Sequence, residues 1–173
     1  MINYDLATIK GLVFDVDGVL SLSTIPLIGE DGIPNRTANI KDGYALQLAV
    51  KRGLHVAIIT GGNTPAVAKR YAALGIPHIF SSISLKLPCF QDWLKTVNLC
   101  AEEVLYMGDD IPDYEVMTYC GCPCAPKDAA PEIKSIATYI SPIAGGMGCV
   151  RDVIEQVLKA QNLWMNDAKA FGW

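Results

Sequence analysis

Short apolar runs alternate with amphipathic stretches along almost the whole chain. Ile9–Phe14 is β-branched or bulky apolar apart from Lys10 and Gly11, and reads as a buried strand. His55–Thr60 is a second such run, Ile79-Phe80 a short third and Val104–Met107 a fourth, with further strands expected over Gly121–Ala125 and Thr138–Ile140. Helical stretches fall between them. Asp42 is a candidate cap for a helix over Gly43–Arg52, which Gly53 ends. Thr64-Pro65 opens a helix that runs to Leu74 and stops at Gly75. Lys86–Val97 carries a proline in its first turn, Pro112–Met117 is a further short helix, and Gly148–Gln161 closes the series. This alternation predicts an α/β fold: a Rossmann-like, mostly parallel sheet flanked by helices. Ser21–Thr37 breaks the rhythm. It mixes polar and apolar residues around Gly29-Glu30-Asp31-Gly32 and reads as a β-hairpin.

Composition narrows the class. At 173 residues, 51% hydrophobic and 18% charged, the chain fits one domain with a substantial core and does not fit disorder. No apolar run approaches the roughly 18 residues that cross a bilayer. Met1–Lys10 lacks the form of a signal peptide, so a soluble cytoplasmic protein with no membrane partner is expected. A net charge of −4 without a basic stripe disfavours nucleic acid as a partner, while a small anionic substrate remains compatible if a metal reverses the local sign. Six cysteines in such a chain read as reduced thiols. Cys120, Cys122 and Cys124 alternate, which in a strand would put them on one face; their spacing is not that of a zinc hook, and neither His55 nor His78 is near in sequence. The three are expected to be small buried hydrophobes, and both histidines structural. The tail, Asn162–Trp173, carries Trp164, Phe171 and Trp173, which need a surface to pack on, either this subunit's body or a neighbour's.

The candidate chemistry stands at the strand ends. Asp15 and Asp17 project from the end of the first strand, and Gly18 lets the chain turn away. Alone, they could be turn formers. Thr60-Gly61 alone is a strand end, and Lys86 alone a solvated helix residue. Gly108-Asp109-Asp110 with Asp113 is more specific, because clustered acids repel one another without a cation. Parallel strands point their carboxyl ends the same way, so all these groups can meet in one crevice. Carboxylates from separate strand ends suit a hard cation such as Mg²⁺. A threonine hydroxyl, a glycine amide and a lysine ammonium suit a phosphate. Together they describe a phosphoryl-transfer site.

In this order, Asp15-Val16-Asp17-Gly18-Val19, Thr60-Gly61, Lys86 and Gly108-Asp109-Asp110 with Asp113 resemble the four motifs of the haloacid dehalogenase superfamily. The resemblance spans about residues 10 to 158. Lys41-Asp42-Gly43-Tyr44, Tyr106–Asp110 and Gly145–Arg151 bring it closer to the small capless 3-deoxy-D-manno-octulosonate 8-phosphate phosphatases. That resemblance implies a single domain over residues 1–173 without a cap, acting on a phosphorylated sugar acid in lipopolysaccharide precursor synthesis. It makes Asp15 the nucleophile and Asp17 the acid and base. Mg²⁺ would be held by Asp15, the Asp17 backbone carbonyl and Asp109. Thr60, Gly61 and Lys86 would hold the phosphoryl group, with Asp110 and Asp113 supporting metal and lysine. It also implies a homotetramer in which the hairpin, about residues 21–37, and the tail, about residues 162–173, close a neighbour's site. Two positions depart from the family pattern: Gly62 and Met147 stand where arginine is common. Relatives acting on nine-carbon sialic-acid-type 9-phosphates tend to carry an acid after Thr-Gly, which Gly62 does not supply. A receiver domain would place its lysine after the last acid, whereas Lys86 precedes Asp109. A non-catalytic homologue would have lost an acid, and Asp15, Asp17 and Asp109 are intact.

Overall fold

The computed structural model describes residues 1–26 and 34–172, apart from the Lys169 side chain. Among them, six strands form one parallel sheet in the order β3-β2-β1-β4-β5-β6: β1 (Gly11–Phe14), β2 (His55–Ile59), β3 (His78–Phe80), β4 (Val104–Met107), β5 (Cys122–Ala125) and β6 (Tyr139–Ile140). The helices are α1 (Ile40–Lys51), α2 (Pro65–Ala72), α3 (Lys86–Val97), α4 (Tyr114–Tyr119), α5 (Pro131–Ile136) and α6 (Cys149–Ala160).

Both faces of the sheet are covered, which is why the central strands read as unbroken apolar runs rather than alternating ones. Leu12 and Phe14 of β1, Val56 and Ile58 of β2, and Leu105 and Met107 of β4 pack into one core with α1, α2 and α6. Val13, Ala57, Ile59, Val104 and Tyr106 point the other way, into a core completed by α3, α4 and α5. Strand β1 pairs with both β2 and β4, so the strand order reverses there. Phe14 lies level with Ile58 on one side and Met107 on the other, and the chain leaves all three strands side by side at their carboxyl ends. Such a switch point is where open α/β sheets bind ligands.

Several local expectations need correction. Helix α1 starts earlier than expected, at Ile40, and its cap is Asn39, whose side chain accepts from the Lys41 and Asp42 amides. Asp42 is buried in the first turn and instead accepts from the Arg151 amide at 2.7 Å, capping α6, whose own N-cap is the side-chain-less Gly148. Only Cys122 and Cys124 share a face, with their sulfurs 4.0 Å apart; Cys120 precedes β5 and packs in the opposite core. All six cysteines are free thiols. The centre of the expected hairpin, Gly29–Gly32, lies outside the described residues. Its flanking arms, 22–26 and 34–37, form no strand and are pinned where Ser21 Oγ meets the Thr37 amide and hydroxyl at 3.0 and 3.2 Å.

The tail, as far as Gly172, lies on its own subunit. Trp164 packs edge-on against Tyr44, and both rings flank the Arg151 guanidinium. Arg52 forms a two-pronged pair with Asp167 at 2.9 and 3.0 Å, and the Tyr44 hydroxyl donates to the Ala170 carbonyl.

Candidate active site

Asp15, Asp17, Thr60, Gly61, Lys86, Asp109 and Asp110 all line one cavity of about 530 Å³ at the carboxyl ends of the central strands. Asp113 lies just beneath it. Every site residue expected from the sequence is therefore in or against one crevice.

Lys86, the first residue of α3, is buried and bridges two carboxylates. Its Nζ lies 2.9 Å from Asp15 Oδ1 and 2.7 Å from Asp113 Oδ1. Burial works to lower the lysine pKa, but the two carboxylates outweigh it and the net shift is upward, so Lys86 is an ammonium. Asp113 also accepts from the Tyr106 hydroxyl at 2.7 Å and, through Oδ2, from the Asp109 amide at 3.2 Å. It thus holds both the lysine and the turn that carries Asp109.

Two glycines permit this closeness. A Cβ on Gly18, whose φ is +82°, would lie 1.9 Å from Asp109 Oδ2, and one on Gly108 would meet Asp113 at 2.4 Å. Behind Asp17, the Gly145-Gly146 turn presses on the same loop, with the Gly146 amide donating to the Val19 carbonyl at 2.8 Å. On the other side, Thr60 is buried and its hydroxyl accepts from the Gly62 amide at 3.1 Å.

The acids fit a divalent cation. Carboxylate oxygens of Asp15, Asp109 and Asp113 lie within 4.8 Å of one another. Burial, then Asp113, push the Asp15 carboxyl well above its ordinary range despite Lys86. Burial, then Asp113 and Asp110, push Asp109 up to about 7. Oxygen donors that compete for protons in this way are what a hard cation displaces protons from. Since Asp113 is already engaged by Lys86, Tyr106 and an amide, Asp15 and Asp109 are the side chains placed to ligate. Asp110 is exposed at the rim.

Comparison with known proteins points the same way. A family model for haloacid dehalogenase-like hydrolases matches residues 79–145. The 3-deoxy-D-manno-octulosonate 8-phosphate phosphatase KdsC of Escherichia coli K12 is 41% identical over 153 residues, covering 88% of this chain and 81% of the relative. The chain belongs to this phosphatase family. The Yersinia pestis family member superposes with a TM-score of 0.88 at 36% identity, over 92% of this chain and 85% of that one. The Moraxella catarrhalis phosphatase, solved with magnesium, phosphate and KDO, gives a TM-score of 0.87 at 32% identity, over 91% and 90% of the two chains.

Within this phosphatase framework the sequence reading missed two residues that touch the site. Tyr106 looks like a core aromatic of β4, and only the fold reveals its hydroxyl on Asp113. Arg36 grips the Asp17 carboxylate with Nε at 2.7 Å and Nη2 at 2.9 Å. Its one sequence signal is that it is the sole cation between Lys10 and Lys41.

Proposed function

We propose that this chain hydrolyses 3-deoxy-D-manno-octulosonate 8-phosphate to the free sugar acid and phosphate, with Mg²⁺ as cofactor. The observation that carries the reading is the convergence of Asp15, Asp109 and Asp113 around Lys86 at the switch point of the sheet. The substrate assignment is supported by the family members named above.

Asp15 is the nucleophile. Its carboxylate attacks phosphorus, the ester P–O bond breaks, and Asp17 gives a proton to the departing sugar oxygen. Asp17 then takes a proton from water, which attacks the aspartyl-phosphate, releases phosphate and restores Asp15. Lys86 and the Thr60 hydroxyl, with the Gly61 amide, hold the non-bridging oxygens as charge builds on them. Asp15, Asp109 and the Asp17 backbone carbonyl would hold the magnesium ion, which would supply further neutralisation of that charge. Asp113 fixes Lys86, and Asp110 adds negative charge at the rim of the metal site.

The reading extends to a cytoplasmic homotetramer in which the 21–37 loop, beyond the Ser23 and Arg36 that line their own subunit's cavity, and the tail of one protomer close a neighbour's site. Size measurement in solution tests the assembly, and a fully active monomer would remove it.

The experiment is a panel of phosphorylated sugar acids of eight and nine carbons, assayed for phosphate release with Mg²⁺ and with chelator. The eight-carbon ester should be preferred, chelator should abolish turnover, and Asp15→Asn should lower kcat by at least about 10³-fold. Preference for a nine-carbon ester would reassign the substrate; equal release by wild type and Asp15→Asn would remove the nucleophile.

A further inference from the structure

A sugar-acid phosphate brings two anionic groups, and the cavity must answer both. Lys86 and Arg36 are the cations among the described residues that line it, and residues 27–33 of the same loop contain no lysine or arginine. Lys86 is spent on Asp15 and Asp113, next to the reacting phosphorus. Arg36 is paired with a single carboxylate, that of Asp17, which is 40% exposed and free to leave, so Arg36 is the cation that can answer the second anion.

Its geometry suits a carboxylate. The guanidinium is held from behind: Nη1 donates to the Pro34 carbonyl at 3.1 Å and to the Thr64 hydroxyl. The adjoining Thr37 is pinned to Ser21. The arginine side chain is only 9% exposed. Residue 62 makes room for it, since a Cβ on Gly62 would lie 3.0 Å from Nη2. These anchors leave the Nε–Nη2 edge facing the cavity, where it holds the Asp17 carboxylate through two parallel hydrogen bonds. That fork is the arrangement in which arginine recognises carboxylates with directional selectivity.

We propose that this edge of Arg36 receives the carboxylate of the substrate, making Arg36 the specificity-determining residue for acid over neutral sugar phosphates. The inference rests on the phosphatase reading above. Before substrate arrives, the Asp17 carboxylate occupies the edge. The incoming carboxylate replaces it there, so the guanidinium stays paired and Asp17 is freed to turn towards the leaving oxygen. A substrate without a carboxylate gains nothing from Arg36. The glycine at position 62 is then not a lost cation; it is the seat for one delivered from the loop.

The test measures kcat and KM with Mg²⁺ for 3-deoxy-D-manno-octulosonate 8-phosphate and for a sugar phosphate lacking the carboxylate, such as an aldopentose 5-phosphate. Arg36→Gln should lose about 10- to 100-fold in kcat/KM for the acid, chiefly through KM, as expected for a hydrogen-bonded charge. The KM of the carboxylate-free ester should rise less than about threefold, on the scale of a rim contact, while any effect through Asp17 falls on the kcat of both substrates. Arg36→Lys should not restore selectivity, because an ammonium lacks the fork. Gly62→Ala, which crowds the guanidinium without removing it, should show the same loss of selectivity in milder form and guards against a misfolded Arg36 variant. An equal rise in KM for both substrates, or no rise for either, overturns the proposal. Wild type inactive on both substrates would instead defeat the phosphatase reading, and is seen without any variant.

Discussion

Replacing Lys86 with methionine removes the ammonium while keeping most of the apolar stem, and isolates what that charge does for the fold. Lys86 Nζ lies 2.9 Å from Asp15 and 2.7 Å from Asp113, and none of the three side chains is more than 10% exposed. Removing one member of a buried ion pair costs about 3–5 kcal/mol, because the partner charge is left without compensation. Here two carboxylates are orphaned together, but they can limit the loss by taking up a proton. Asp15 is already raised by burial and by Asp113, and without Lys86 it rises further. The destabilisation should therefore approach about 3–5 kcal/mol at pH 9, where wild-type Asp15 ionises beside Lys86, and shrink at pH 6, where Asp15 holds its proton with or without the lysine. At pH 9 this corresponds to a fall in Tm of about 6–20 °C for a chain of this length. Urea unfolding followed by fluorescence in magnesium-free buffer at both pH values measures it. Adding Asp113→Asn to Lys86→Met should recover part of the loss, since one orphaned charge is gone. A cost below about 1 kcal/mol at pH 9, or the same cost at both pH values, would refute the reasoning.

Burial pushes the Asp42 carboxyl up to about 6, against the Arg151 amide that favours its ionised form. A folded pKa above the unfolded value of about 3.9 means that this group's stabilisation is complete below pH 4 and is lost as pH rises through 6, at most about 3 kcal/mol in all. Asn at this position keeps an acceptor for the amide and does not ionise, so the stability of wild type relative to Asp42→Asn should decline between pH 4 and pH 8; a difference flat across that range contradicts the assignment. Gly18→Ala drives a Cβ to within 1.9 Å of Asp109 Oδ2 at a φ of +82°. Beyond the roughly 1–2 kcal/mol of left-handed strain, it should weaken Mg²⁺ binding at least tenfold by calorimetry, and unchanged affinity would show that Asp109 is not a ligand.

The parts of the fold read from the sequence were those governed by near neighbours. The apolar runs of β1, β2 and β4 were legible because both sheet faces are covered, and the Lys86–Val97 bounds of α3 were read as they stand. Helix α5 was missed because its six residues, Pro131–Ile136, offer barely one and a half turns of periodicity. Asp42 was misread because an acid beside a helix start looks like a cap from either side of the boundary. Only the packing of α1 on α6 shows that it serves the other helix. The strand-end acids were legible because parallel topology brings such ends together whatever the loops do. Arg36 was not, since its place depends on a loop closed by Ser21 and Thr37 and on the absence of a side chain at Gly62. Cys120 was grouped with Cys122 and Cys124 by alternation, which fails because β5 begins at Cys122.

The proposed covalent transfer to Asp15 can be tested directly. Wild type mixed with ³²P-labelled 3-deoxy-D-manno-octulosonate 8-phosphate and Mg²⁺, quenched in acid within milliseconds and digested, should yield one acid-stable, hydroxylamine-labile labelled peptide containing Asp15, and Asp15→Asn should yield none. Substrate turnover with no label on the protein, or label on any other residue, would contradict the account at its centre.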